Sequence, residues 1–291
     1  MRLNPSRLGF LPLFTILLVS TSPLLAQDAT TNTDTSRQVT SDAPVEIEAD
    51  DALEWRRNDR LYVARGNASA KQGDTVLKAE ILRAYYKDST EGQNAIYKIE
   101  AEGNVEIASP DGTVTGQKGE YLVAEGEATI TGDNLKVVSK DLTVTAKDAL
   151  LYNRLEGKFT AKGDAVAAEE GRSIRADILH AWTSQKEEAA ATATDTAPVK
   201  SGSLARAEAD GNVVIKTATE TATGNHATYE GSTRIAELTG NVHLTKGPNT
   251  LEGARAQVNM ETGVSELFGA ANGGRVKGVF FPGSTDKNKT Q

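Results

Sequence analysis

Apolar and polar side chains alternate with a period of two in short runs along most of the chain. Each run follows a Gly-Asn or Gly-Asp dipeptide. Gly66-Asn67 leads to Ala68 and Ala70, and Gly103-Asn104 to Val105 and Ile107. Gly163-Asp164 leads to Ala165 and Ala167, Gly211-Asn212 to Val213 and Ile215, and Gly240-Asn241 to Val242 and Leu244. Gly132-Asp133 carries an extra Asn134, which moves the pair to Leu135 and Val137. Alternation of this kind places every second side chain on one face of a β-strand. Gly beside Asn or Asp tolerates positive φ and reads as the turn between strands. The glycines are spaced 37, 29, 31, 48 and 29 residues apart, a periodicity of stacked repeats.

A second landmark follows each glycine by 14 to 16 residues: Glu80-Ile81, Lys118-Gly119, Asp148-Ala149, Asp177-Ile178, His226-Ala227 and Arg255-Ala256. Tyr121, Tyr152, Tyr229 or Val258 comes soon after. Each repeat therefore holds at least two strands. The expected fold is all-β: an elongated, open β-jelly roll of stacked antiparallel strand–turn repeats. A parallel β-helix is the structural rival, but a unit near 30 residues is long for a simple coil.

Composition agrees. Only 38% of the 291 residues are hydrophobic and 5% aromatic, which suits strands with one wet face. Cysteine is absent, so the fold has neither disulfides nor a thiol nucleophile. Residues 1–26 read as an export signal, with Arg2 and Arg7 before the apolar stretch from Leu8 to Val19 and a small residue, Ala26, at the cleavage point. Removing those two arginines takes the formal charge from −8 to −8 − 2 = −10. An acidic chain is a poor general binder of nucleic acid. Residues 27–43 read as a flexible leader and 282–291 as a disordered tail, bracketing a β-domain over 44–281. The low-complexity run 186–203 reads as an inserted loop and accounts for most of the long 48-residue spacing.

Candidate chemistry is sparse. His180, His226 and His243 each lack sequence neighbours at metal-ligand spacing, so no metal is expected. Adjacent acids such as Asp50-Asp51 and Glu169-Glu170 point to opposite faces of a strand and do not make a catalytic pair. Catalytic motifs and cofactor-binding loops are absent, so neither an enzyme nor a cofactor is expected. Lys78, Lys118, Lys136, Lys216 and Arg255 read as solubilising charge. The alternation alone allows either a closed core or an open groove.

The ordered series 101–107 (AEGNVEI), 209–215 (ADGNVVI) and 238–244 (LTGNVHL) resembles the OstA-like (LptA) family of periplasmic lipopolysaccharide-transport proteins. Lys78-Ala79-Glu80, residues 145–149 (TAKDA), Arg175-Ala176-Asp177 and the opening strand 44–50 (PVEIEAD) reinforce it, and the resemblance covers about 44–270. The chain is longer than expected for the family and carries the 186–203 insertion. The resemblance implies an apolar groove that holds the acyl chains of lipopolysaccharide, lined by Val105, Ile107, Leu135, Val137, Val213, Ile215, Val242 and Leu244. It implies a periplasmic, non-catalytic carrier. The implied partners are an LptC-like component at the inner membrane and an LptD-like translocon at the outer membrane, joined by strand addition at edges 44–50 and 264–281, together with head-to-tail self-association. The alternative is a structural or adhesive β-repeat protein of the envelope without a lipid groove.

Overall fold

The computed structural model describes residues 45–88, 95–183, 204–262, 264–270 and 273–281. The expected export signal, leader, inserted loop and tail lie outside the described residues.

The strands are β1 (Glu46–Glu48), β2 (Ala52–Arg56), β3 (Leu61–Gln72), β4 (Thr75–Lys87), β5 (Ala95–Ser109), β6 (Gly112–Leu122), β7 (Glu127–Thr131), β8 (Lys136–Val138) and β9 (Thr143–Thr145). They continue as β10 (Ala149–Asn153), β11 (Lys158–Glu169), β12 (Arg172–Thr183), β13 (Leu204–Lys216), β14 (Glu220–Glu230), β15 (Ile235–Lys246), β16 (Asn249–Asn259), β17 (Ser265–Phe268) and β18 (Lys277–Val279). Every pairing is antiparallel, and long neighbours in sequence are neighbours in space, as β3 with β4 and β15 with β16. This is the expected all-β jelly roll, and antiparallel pairing rules out the β-helix.

The Gly-Asn dipeptides are not the chain reversals. They lie in the middle of the long strands. Register across β3 and β4 runs to Arg65↔Ile81 and resumes at Ala68↔Ala79, so Gly66 and Asn67 oppose a single residue. Comparable breaks fall at Glu102/Val105, Lys162/Ala165, Asp210/Val213 and Thr239/Val242. At each of these five sites both residues have positive φ, for example 82° at Gly103 and 47° at Asn104. Such an inserted residue pair bends a strand. Glycine and asparagine hold that conformation at least strain, which explains the dipeptide. The reversals proper are short tips such as Gly73-Asp74, Glu170-Gly171 and Gly247-Pro248.

Each bend divides a long strand between two layers. The halves before the kinks of β3, β5, β11, β13 and β15 build a first wall with β2, β7, β10 and β17. The halves after them build a second wall with β1, β8, β9 and β18. Around Gly132, where Asn134 adds to the kink, the strand parts into β7 and β8, both paired to β6.

A polar side chain from the preceding strand, or from the residue that leads into it, covers each kink glycine. A Cβ built on Gly103 would stand 2.5 Å from Glu80 Oε2, and one on Gly211 would stand 2.1 Å from Asp177 Oδ2. Asp51, Gln117, Asp148 and Asn225 cover Gly66, Gly132, Gly163 and Gly240 in the same way. The Asn104 amide donates to Glu80 Oε1 at 2.8 Å, and Asn212 donates to both Asp177 oxygens at 3.1 and 3.0 Å. The charged landmark of the sequence is thus the cover for the next repeat's kink. At two repeats it is the neighbouring amide, Gln117 or Asn225, rather than Lys118 or His226.

Two outcomes test this account. Gly163→Ala should cost about 2–3 kcal/mol, because its φ is +85° and the new Cβ meets the Asp148 backbone nitrogen at 2.8 Å. Gly171→Ala, at φ +72° with nothing within 4 Å, should cost about 1 kcal/mol. Urea denaturation compares them. Asp164 sits in the same kink, bonded to Arg175 and, at 2.8 Å, to Lys147. The Arg175 guanidinium first, then Lys147, hold its carboxyl down at about 2, from 3.8. A depressed acid stabilises the fold above its unfolded value and loses that contribution as pH falls through its folded one. The window therefore runs from 3.8 down to about 2. A carboxyl-carbon NMR titration should find Asp164 near the bottom of that window, and Arg175→Gln should raise it.

Candidate functional site

Paired residues of antiparallel strands share a face. Following that pairing across the sheet traces unbroken inner rows. In the first wall one row runs Leu53, Ala64, Leu82, Ala101, Gly119, Ile130, Leu150 and on through Leu238 and Ala256 to Leu267. In the second wall a row runs from Ile47 through Ala70, Leu77, Ile107, Val114 and Val137 to Leu244, Leu251 and Gly278. Neither row contains a polar residue. Both run from one edge of the sheet to the other.

Between the walls the fill is uneven. Leu150, Val213, Ile215, Leu238 and Val242 are almost fully enclosed. Toward the first strands the walls leave a cavity of about 120 Å³. Its floor is Leu77, Ala101, Val105, Ile107 and Ile130, with Ile99, Tyr121 and Tyr152 on the first wall. Gln72, Thr75, Glu120 and Arg154 also line it. A smaller hollow that shares Ile107, Ile130 and Tyr152 extends it to Phe159.

Of the residues expected to line a groove, Val105 and Ile107 line this cavity. Leu135, Val137, Val213, Ile215 and Val242 are buried in the core that continues from it, and Leu244 packs half-buried against that core. Tyr121 and Tyr152, landmarks of the sequence, also face the cavity. Each lies two residues beyond a member of the inner row, Gly119 or Leu150, and so faces the same way. Lys78, Lys216 and Arg255 fall on the outer face: Lys78 pairs with Glu106 at 3.4 Å and Arg255 with Glu237 at 3.1 Å.

The histidines have acid partners only across strands. His226 Nδ1 lies 2.7 Å from Asp210 Oδ1, and His243 Nδ1 lies 3.9 Å from Glu252. His180 bonds Thr160 Oγ1 at 2.9 Å, and burial pushes its pKa down. Among the described residues no group of three His, Asp or Glu converges as metal ligands would.

Both ends of the sheet are open. β1 and β2 pair only with β3, and β17 and β18 only with β16, among the described residues. Large apolar side chains concentrate there: Leu53 is 63% exposed, Trp55 51%, Phe280 59% and Phe281 55%. Val45, Ile47, Val264, Val276 and Val279 are exposed beside them. The expected edges thus coincide with the two unpaired ends.

Comparison with known proteins adds to this geometry. A family model described as LptA/(LptD N-terminal domain) LPS transport protein matches residues 46–158 and 143–264. The autotransporter adhesin EhaG of Escherichia coli O157:H7 is 26% identical over 186 residues, which is 58% of this chain. The chain spans 11% of that protein's length. Among solved structures, LptH of Pseudomonas aeruginosa, the LptA-homologous periplasmic component of a lipopolysaccharide transport device, aligns over 82% of this chain and 96% of its own. That alignment has 10% identity and a TM-score of 0.20.

The uneven fill has a measurable consequence. Ile215→Ala, in the closed part, should cost about 3 kcal/mol. Ile107→Ala, on the cavity wall, should cost about 1 kcal/mol, because part of its surface has no protein neighbour to lose. Equal losses in urea denaturation would mean that the cavity is filled in solution.

Proposed function

Because this chain belongs to the family of LptA and LptD N-terminal-domain LPS transport proteins, we propose that it binds lipopolysaccharide by its acyl chains and carries it through the periplasm from inner to outer membrane. The family is one of transport proteins, and the role asks for no catalytic group. The observation that carries the reading is the pair of unbroken apolar rows running between two unpaired edges. A carrier needs such a lining, because each buried methylene contributes about 0.8 kcal/mol. Val105, Ile107, Leu135, Val137, Val213, Ile215, Val242 and Leu244 form the wall against which the chains lie. The walls are joined through the backbone at the kinks, so their free lips can part for a larger ligand.

The edges serve partners. An exposed, unpaired strand templates another strand. Successive antiparallel pairings leave β17 running opposite to β2, so a following copy of β2 joins it antiparallel. Continuing the rows sets Leu267 against Leu53, Gly278 against Ile47 and Lys277 beside Glu48. An LptC-like component at the inner membrane and an LptD-like translocon at the outer membrane are the partners on this reading, with head-to-tail copies of the chain between them.

The similarity to an adhesin favours a second reading, a structural or adhesive envelope repeat with a dry, closed core. In-cell photo-crosslinking separates the two. Probes at Ile107 and Ile215 should yield lipopolysaccharide adducts, and a probe at the exposed Lys216 should not. Folded, exported protein with no adduct at any site would defeat the carrier reading and leave the structural one.

A further inference from the structure

The two walls of the groove differ in chemistry. The outermost complete row of the first wall runs Trp55, Tyr62, Ala84, Ile99, Tyr121, Ala128, Tyr152, Phe159, Ala181, Ala207, Tyr229, Ala236, Val258 and, at the far edge, Ser265. Six of these residues are aromatic. The facing row of the second wall, Ile47 to Gly278, has no aromatic member. Composition makes the bias sharp, because aromatic residues are only 5% of the chain.

Tyrosine suits a boundary between apolar and polar matter, since its ring is hydrophobic and its hydroxyl needs a partner. Tyrosines elsewhere in the first layer find that partner in the protein: Tyr85 donates to Glu100 at 2.9 Å, and Tyr86 accepts from Trp55 Nε1 at 2.9 Å. Tyr121 is half-buried in the cavity wall, and its hydroxyl bonds no described residue. Tyr229 is half-buried along the same row and likewise bonds none.

We propose that the groove is sided, one wall taking the sugar of the lipid and the other its acyl chains. The sugar ring lies on the aromatic wall, one of its hydroxyls bonded to Tyr121, and the acyl chains lie on the aliphatic wall at Leu77, Ile107 and Val114. This inference rests on the carrier reading and names what that reading leaves open, the part of the lipid each wall takes. A pyranose ring is rigid, with an apolar C–H face that packs flat on an aromatic ring. Flexible chains fit an aliphatic wall that has no preferred plane. The aromatic positions recur on β2–β3, β6, β10–β11 and β14, with Ala84, Ile99, Ala128, Ala181 and Ala207 on the strands between. At about 4.8 Å per strand those footholds stand roughly 10 to 15 Å apart, along one wall only.

The test measures binding of two probes to the purified full chain: hexa-acylated lipid A, and a fluorescent long-chain fatty acid that has no sugar. Replacing both Tyr121 and Tyr152 by Leu should weaken lipid A binding about tenfold and leave the fatty acid within about twofold. Tyr121→Phe, which keeps the ring and packing, should weaken lipid A alone by about threefold, and it keeps the test valid if the double variant does not fold. Ile107→Ser should weaken both probes. Equal losses for the two probes in the tyrosine variants, or none for lipid A, would overturn the sided groove. Wild-type protein that binds the fatty acid but not lipid A would overturn it too. Binding of neither probe would instead remove the carrier reading on which it stands.

Discussion

Everything in this fold depends on a bend made in the middle of each long strand. Two successive residues at positive φ turn the strand from one wall to the other, and a carboxylate or amide from the preceding strand closes over the glycine that makes the turn possible. Without the bend the strands would form one flat sheet with an exposed apolar face. With it, the same strands supply both walls and the line along which they meet. The cover is local, so each repeat completes the bend of its neighbour. No end of the molecule has to close on the other.

The bend also sets side-chain sizes on the inside. Where the walls meet, paired residues are Ala68 with Ala79, Val105 with Gly116, Ala165 with Ala176, Val213 with Gly224 and Val242 with Gly253. A large residue on one strand is matched by none on the other. A Cβ on Gly116 would stand 2.4 Å from Ile130 Cγ2, and one on Gly224 would stand 2.6 Å from Leu238 Cδ1. Close packing leaves no slack for both members of a pair to be large.

Much of this was legible in order but not in meaning. The period of two gave the strands, and the recurrence of Gly-Asn gave the repeat, because both are local. The same dipeptide was misread as the reversal, since a glycine at positive φ serves a tip and a mid-strand kink equally well. Gly116, Gly224 and Gly253 sit inside strands because of a neighbour that sequence distance hides. The polar cover was visible at Glu80, Asp148 and Asp177, although its partner is the following glycine and not the preceding one. The cavity was half legible. Val105 and Ile107 follow from alternation, whereas Tyr121 and Tyr152 share a wall only because β6, β7 and β10 stand side by side.

The hairpin is the unit in which such a molecule can change length. Every repeat adds one strand in each direction, so the sense of the last strand relative to the first is unaltered by gaining or losing repeats. A lineage can therefore lengthen this chain by duplication and still present the same pair of ends to whatever it joins. Gain of a single strand would break that parity and leave the terminal edge running parallel to its mate. Thr183 pairs with Leu204 across the run 184–203, so the strands on either side of that run stay antiparallel neighbours. Selection on reach and selection on joining are thereby separated, one acting on the number of hairpins and the other on a few residues at each end.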